Sequence, residues 1–451
     1  MPRCLRALLC SALTILALSA RADDAARAWR EAEAAAHGDI ARLLALAESA
    51  PLRPQLRHWR PLPDHVNMLE ATGRFEALGI TREQGVALVR AWYARQGLDE
   101  RGAPVLRGSA ATATAAAPVP PAQPQPPSGW RAGREFDPLQ AVLLRWPFDW
   151  SALRDEYSVM IRHIVDSGAE ARIWVDNERQ RRGAERSLRQ AGVPLQRVRW
   201  IVENTDSVWL RDYGPNFIYG DGDWGVVDFH YYAGRPADDD TPLVVAAAEA
   251  KLVVDRQVKD LVYTEGGNIN TDGLGAVLYS KRTYQRNPGV APATIDERIG
   301  SALNAPRRLV LQDPALDSTG HVDMFSKIVD AETVLVAQYD PDEADHQRLE
   351  DNAALLAAST NGAGRPWKVL RIRQPDVYYE GVVNPVIRTY TNSIIVNDRV
   401  IVPVYGIADD AAALAVYASA FPGKTIVPLN ANDIIGSGGA WHCVTMEFPR
   451  P

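Results

Sequence analysis

After Trp130 the chain repeats one pattern five times: an apolar, β-branched stretch runs into a polar loop rich in Asp, Asn, Gly and His. The instances are RVRWIVENTDSVWLRD, KDLVYTEGGNIN, RRLVLQDPALDSTGHVD, WKVLRIRQPDVYYEG and KTIVPLNANDIIGSGGAWHC. Stretches of this kind, bounded by turn residues, predict strands. Helical stretches precede several of them, namely ERSLRQAG, ADHQRLEDNAALLAAST and DDAAALAVYASAF. Strands alternating with helices make the class α/β. A unit recurring at roughly 50–60 residues marks a repeat or propeller-like architecture. Five strand ends converging on one axis would gather five loops around a single site. Between the fourth and fifth units, NSIIVNDRVIVPVYG predicts a β-hairpin that turns at Asn397-Asp398.

The chain ahead of this region divides into three. Residues 1–22 read as a secretory signal, with Arg3 and Arg6 before the apolar run ALLCSALTILALSA and small residues at Ala20-Arg21-Ala22. Residues 23–104 are Ala-rich with apolar positions at helical spacing, as in AARAWREAEAAAHGDIARLLALAE and TREQGVALVRAWYARQ. Residues 105–129 hold the Ala/Pro-rich linker ATATAAAPVPPAQPQPPS, which cannot build a core. Residues 130–451 carry the repeated units. The protein is therefore expected to be exported, to the periplasm or beyond, with no membrane span. Loss of the signal removes three arginines and no acid, taking the net charge from −7 to −10. That balance argues against nucleic acid, which is held by many Lys and Arg contacts to phosphate, and it suits a cationic ligand.

Of three cysteines, Cys4 and Cys10 fall in the signal, so Cys443 is expected to stand alone in the mature chain. It lies in the Gly-rich segment GSGGAWHCVTMEF and has no partner for an internal disulfide. A cysteine acts as a nucleophile through its thiolate and needs a lowered pKa or an adjacent base. His321, in GHVD, is the preferred base because histidine titrates near neutrality. His442 is nearer in sequence, but neighbours on a strand point to opposite faces. Asp212, in WLRDYGP, and Asp323 are costly to bury unless paired. Facing one pocket, they call for a cation with several N–H donors, and a guanidinium matches carboxylates bidentately. Each residue also has a plainer reading: an Asp as a turn former, GHVD as a surface turn, the Cys as a small buried hydrophobe. A metal site from His321, Asp323, His442 and Cys443 is conceivable, yet no zinc-type spacing occurs. No metal is therefore expected.

Taken together, WxRDxGP, EGGN, GHVD and the late Gly-rich HC resemble the agmatine deiminase and Porphyromonas-type peptidylarginine deiminase family, over about residues 130–451. That family belongs to the guanidino-group-modifying superfamily, whose fold is a five-bladed pseudosymmetric α/β-propeller, the pentein. The resemblance implies Cys443 as nucleophile and His321 as general acid/base. It implies Asp212 and Asp323 as the guanidinium clamp and Asn392, in TYTNS, beside the thiol. Glu265, Gly266, Gly267 and Asn268 would shape the site, with Asn268, Trp209 and Arg235 near the substrate. The reaction would pass through a covalent thiouronium adduct, with no cofactor. Export, TYTNS and Arg235 in FHYYAGRP, which could grip a carboxylate, favour peptidyl or free arginine over agmatine. A papain-like protease and a non-catalytic binding propeller remain as alternatives, and the oligomeric state stays open.

Overall fold

The structure, a computed structural model, describes residues 24–53, 60–102, 122, 123, 125–231, 235–254 and 262–450. The expected signal 1–22 and most of the expected linker lie outside the described residues. The fold is mixed α/β and is built from several small sheets.

Five of those sheets share one wiring: a short strand antiparallel to a central strand, then a helix, then an outer strand parallel to the central one. One unit is Ser326–Ile328, Thr333–Gln338, helix His346–Ala357 and Lys368–Arg373. The same order recurs in Ile394–Val396, Arg399–Val404, Asp409–Ala420 and Thr425–Asn430. It recurs again in Asn270–Thr271, Ala276–Ser280, Pro292–Ala302 and Arg307–Leu311, and in Asn216–Gly220, Asp223–Val227, Thr241–Glu249 and Leu252–Val254. The remaining unit joins the two ends of this region. The C-terminal strand Thr445–Pro449 pairs antiparallel with Leu139–Arg145, which continues through helix Arg154–Asp166 to the parallel strand Glu170–Val175. A second crossover, helix Glu178–Gln190, adds Val198–Val202. The closing strand is pinned by Phe448, which stacks on Phe217 with centroids 4.4 Å apart. Central strands such as Ala276–Ser280 are buried throughout, which explains their unbroken apolar runs.

Four of the five expected strands form. In KDLVYTEGGNIN most of the expected strand lies outside the described residues; the outer strand described for that unit is Leu252–Val254, and Tyr263 bridges His230. The expected hairpin is present: Val396 pairs with Arg399, and Asn397 takes φ 52°, which asparagine tolerates better than most residues.

The N-terminal region is helical at residues 24–35 and in Ile40–Ser49, Leu62–Ala71, Arg74–Leu78 and Arg82–Gln96. The last helix starts at a capping box formed by Thr81 and Gln84. It turns Leu88, Val89, Trp92 and Tyr93 inward onto Val382, Val383, Ile387 and Leu316 of the region of repeated units. Polar ties fix the same seam. Arg53 Nε donates to Glu380 Oε2 at 3.0 Å, and Arg74 Nε donates to the Val382 carbonyl at 3.0 Å. Arg60 donates to the carbonyls of Ala315 and Asp317. His65 is fully buried, which pulls its pKa down to about 3, and its Nε2 lies 2.9 Å from the Val383 carbonyl oxygen. Gly381, at φ 55°, must be glycine twice over: a Cβ there would also lie 2.6 Å from the Ala50 Cβ. Trp92→Ala should cost about 3–5 kcal/mol of stability, as emptying a packed aromatic site does. Urea unfolding measures this, and a loss below about 1 kcal/mol would show that the seam is not packed as described.

Candidate active site

Every loop that leaves an outer strand and enters the next antiparallel pair carries a chemically useful group. Val198–Val202 leads to Asp212, Leu252–Val254 to Glu265, and Arg307–Leu311 to His321 and Asp323. Lys368–Arg373 leads to Asn392, and Thr425–Asn430 leads to His442 and Cys443. All seven residues are buried. Their shared position follows from the repeated wiring.

The thiol sits in a turn, residues 441–444, immediately before the closing strand. Gly438 enters that turn at φ 104°, a conformation that favours glycine. Asn392 holds the turn: its Oδ1 accepts from Ala440 N at 2.9 Å and Cys443 N at 3.3 Å, while its Nδ2 donates to Cys443 Sγ at 3.2 Å. From the other side, Arg211 N donates to the Cys443 carbonyl at 3.2 Å, and the Arg211 guanidinium pairs with Glu447. Thr391 Oγ1 reaches the Asp323 carbonyl at 3.2 Å, tying the Asn392 loop to GHVD.

Asp323 Oδ2 lies 3.6 Å from Cys443 Sγ. His321 Nε2 hydrogen bonds to Glu265, and its Nδ1 stands 3.6 Å from Asp212 Oδ1. Gly267 shows how close these groups are. A Cβ there would lie 2.6 Å from His321 Nδ1, 3.1 Å from Asp323 Oδ2 and 3.2 Å from Asp212 Oδ1. Three polar atoms thus converge on one small volume, which only a glycine leaves open. Gly266 has another reason to be glycine, because a Cβ there would collide with the backbone carbonyl oxygen of Arg211.

Cys443, His321, Asp212, Asp323 and Asn392 therefore share one site. Other expected residues sit differently. Asn268 is a brace: its Oδ1 accepts from Ser280 N at 2.9 Å and Val322 N at 3.1 Å, and its Nδ2 donates to Thr283 at 2.9 Å. Trp209 is fully buried against Trp150, edge to face at 6.3 Å. Arg235 is buried, with a bond to the Tyr231 hydroxyl at 3.3 Å. Asp238 lies in its field; burial pushes the Asp238 carboxyl up to about 7, against the pull of Arg235. Arg235 is thus a fixed, buried cation rather than a solvated loop arginine, and it also lies in the field of Asp212, at the margin of the site.

His442 needs a correction. Strand alternation was expected to turn it away, but it lies in a turn, and its Nδ1 is 2.7 Å from Asp323 Oδ2. Glu265 was expected only to shape the site, yet it contacts the imidazole directly. Glu135 and Lys327 were missed; a lysine in an apolar strand was the one available signal, since nothing local sets the acid in REFDP apart. Among the described residues, ligand atoms gather within 4.8 Å in Glu135–His442–Glu447 and in Asp212–Glu265–His321. In each set a histidine nitrogen faces a carboxylate, and Glu447 also pairs with Arg211.

A family model described as Porphyromonas-type peptidyl-arginine deiminase matches residues 131–449. A relative from Enterococcus faecalis, provisionally named an agmatine deiminase, is 27% identical over 362 residues, covering 71% of this chain and 96% of the relative. The solved structure of an Enterococcus faecalis agmatine deiminase is 24% identical with a TM-score of 0.63, covering 71% of this chain and 96% of that one. A structure from Porphyromonas gingivalis, provisionally named an arginine deiminase, is 23% identical with a TM-score of 0.63, covering 71% and 98%. At these identities the two structures bear on the fold alone.

The two adjacent glycines should fail in different ways. Gly267→Ala should keep its melting temperature within a few degrees and lose turnover by at least about a hundredfold, because the methyl fills the space between the reacting groups. Gly266→Ala should lower the melting temperature, since backbone cannot yield as a side chain can. Thermal melts beside steady-state rates test both; a Gly267→Ala enzyme with normal kcat/KM would remove the geometric reading.

Proposed function

Because the chain belongs to the Porphyromonas-type peptidyl-arginine deiminase family, hydrolases acting on C–N bonds of amidines, we propose that it deiminates a small free guanidine, agmatine first among them. The observation that carries this reading is the convergence of Asp212, His321 and Asp323 on one point beside Cys443. Two carboxylates on a small dry volume suit a planar cation with several N–H donors.

Cys443 as thiolate attacks the guanidinium carbon. The tetrahedral adduct then loses one nitrogen, which takes a proton from His321 and departs as ammonia. The remaining thiouronium is attacked by water, whose proton passes to His321, and the C–S bond breaks. The products are a ureido compound and the free thiol. Agmatine would give N-carbamoylputrescine. Glu265 on Nε2 orients the His321 ring. Asp212 and Asp323 hold the cation while it is neutralised, so their contribution is largest where charge shifts.

Peptidyl or free arginine was favoured by the sequence, and agmatine was its alternative. The names of the relatives favour agmatine. Burial of all the site groups also suits a small ligand, and the engagement of Arg235 weakens the case for a carboxylate grip. The reading further includes the closure of the five similarly wired units as propeller blades, and export of the enzyme, for which residues 1–22 are the support.

Ammonia release from agmatine, free arginine and peptides with internal or terminal arginine tests the substrate. Agmatine should have the highest kcat/KM; higher values for the peptides would restore the arginine reading. Asp212→Asn and Asp323→Asn should each lower kcat/KM by at least about a hundredfold, and a loss below about tenfold in both would count against the clamp.

A further inference from the structure

A second row of buried charge stands behind the thiol, the base and the clamp, and the chemistry above leaves it unused. Lys327, fully buried in the strand Ser326–Ile328, pairs with Glu135. The other oxygen of Glu135 lies 3.0 Å from His442 Nε2, and His442 Nδ1 lies 2.7 Å from Asp323 Oδ2. That same Asp323 oxygen is the one 3.6 Å from Cys443 Sγ. Ionised carboxylates can only accept hydrogen bonds. A ring with one on each side is held from both, and each nitrogen that carries a proton donates to the carboxylate oxygen beside it.

We propose that His442 is a positioning residue: anchored through Glu135 to Lys327, it turns Asp323 Oδ2 toward the thiol and compensates the carboxylate charge there. Its consequence for turnover rests on the deiminase reading, while its consequence for the thiol rests on geometry alone. Burial opposes charge on Glu135, yet His442 and Lys327 hold its carboxyl well below the usual carboxylate range. The anchor is thus a fixed anion.

The other charged groups around the ring are few. Arg211 Nε donates to the His442 carbonyl at 3.3 Å, with Glu447 behind it. His321 and Asp212 face Asp323 across Gly267. Cys443 is the next residue in the chain. Buried ion pairs add little stability over apolar side chains of the same volume. A chain of four ionisable groups ending at a nucleophile is better accounted for by the orientation it imposes on Asp323.

The relay makes a prediction that needs no substrate. Without His442, the Asp323 charge beside Sγ is uncompensated, which disfavours the thiolate. Alkylation of Cys443 by iodoacetamide, followed on its own peptide by mass spectrometry, should show a rate midpoint about one pH unit higher in His442→Gln than in wild type. Glu135→Gln, nearly isosteric and so the safer folder, should move the midpoint in the same direction by less. In the same variants, kcat/KM for the best guanidine should fall by at least about a hundredfold for His442→Gln, with a raised KM.

A merely structural role would lower the melting temperature and the active fraction but leave the midpoint and KM of the folded enzyme at wild-type values, and that result would overturn the proposal. Should the wild type release ammonia from no guanidine, the deiminase reading fails by itself. The alkylation midpoint still decides the relay.

Discussion

Charge gathered where water is excluded is the constraint around which this molecule is arranged. Asp212, Asp323, Glu265, Glu135 and Glu447 all lie buried in or beside one site. Isolated, each would be forced to neutralise. Together they are paired with Lys327, Arg211, His321 and His442, which are buried among them. Asp212 and Asp323 take part in this network and also face the small volume beside the thiol. A ligand cation that enters there completes a charge pattern the fold has already fixed, so little rearrangement is needed when it reacts.

That pattern depends on the repeated wiring. Each unit contributes one loop, and the loops are tied to one another rather than only to their own strands. Asn392 holds the cysteine turn, Thr391 holds GHVD, Arg211 holds the carbonyls of His442 and Cys443, and Asn268 joins Val322 to Ser280. The N-terminal helices join the same scaffold. They contact residues 315–317 ahead of His321, the hairpin Tyr378–Val386 and Gly436 ahead of Cys443. Three of the five site loops are therefore braced by a region that contributes no reacting group.

Much of this was legible in the sequence because local chemistry and global fold agree. β-branched runs ending in Asp, Asn, Gly and His announced both the strands and the loops that carry the chemistry. Asn397-Asp398 announced a turn. What escaped was what depends on contacts distant in sequence. Glu135 lies 307 residues from His442, and nothing local distinguishes it from a surface acid. His442 was misplaced because alternation was applied to a turn. Arg235 looked free because its partners, Tyr231 and Asp238, are ordinary residues until the chain folds over them.

The central claim is that Cys443 bonds to the guanidinium carbon before water does. Rapid quenching of the enzyme with agmatine, followed by intact-mass analysis, tests it most directly. The account predicts a transient species heavier than the enzyme by the mass of the guanidine less ammonia, located on the Cys443 peptide and absent from Cys443→Ser. Ammonia released at full rate with no such species, or released by Cys443→Ser at the wild-type rate, would contradict it.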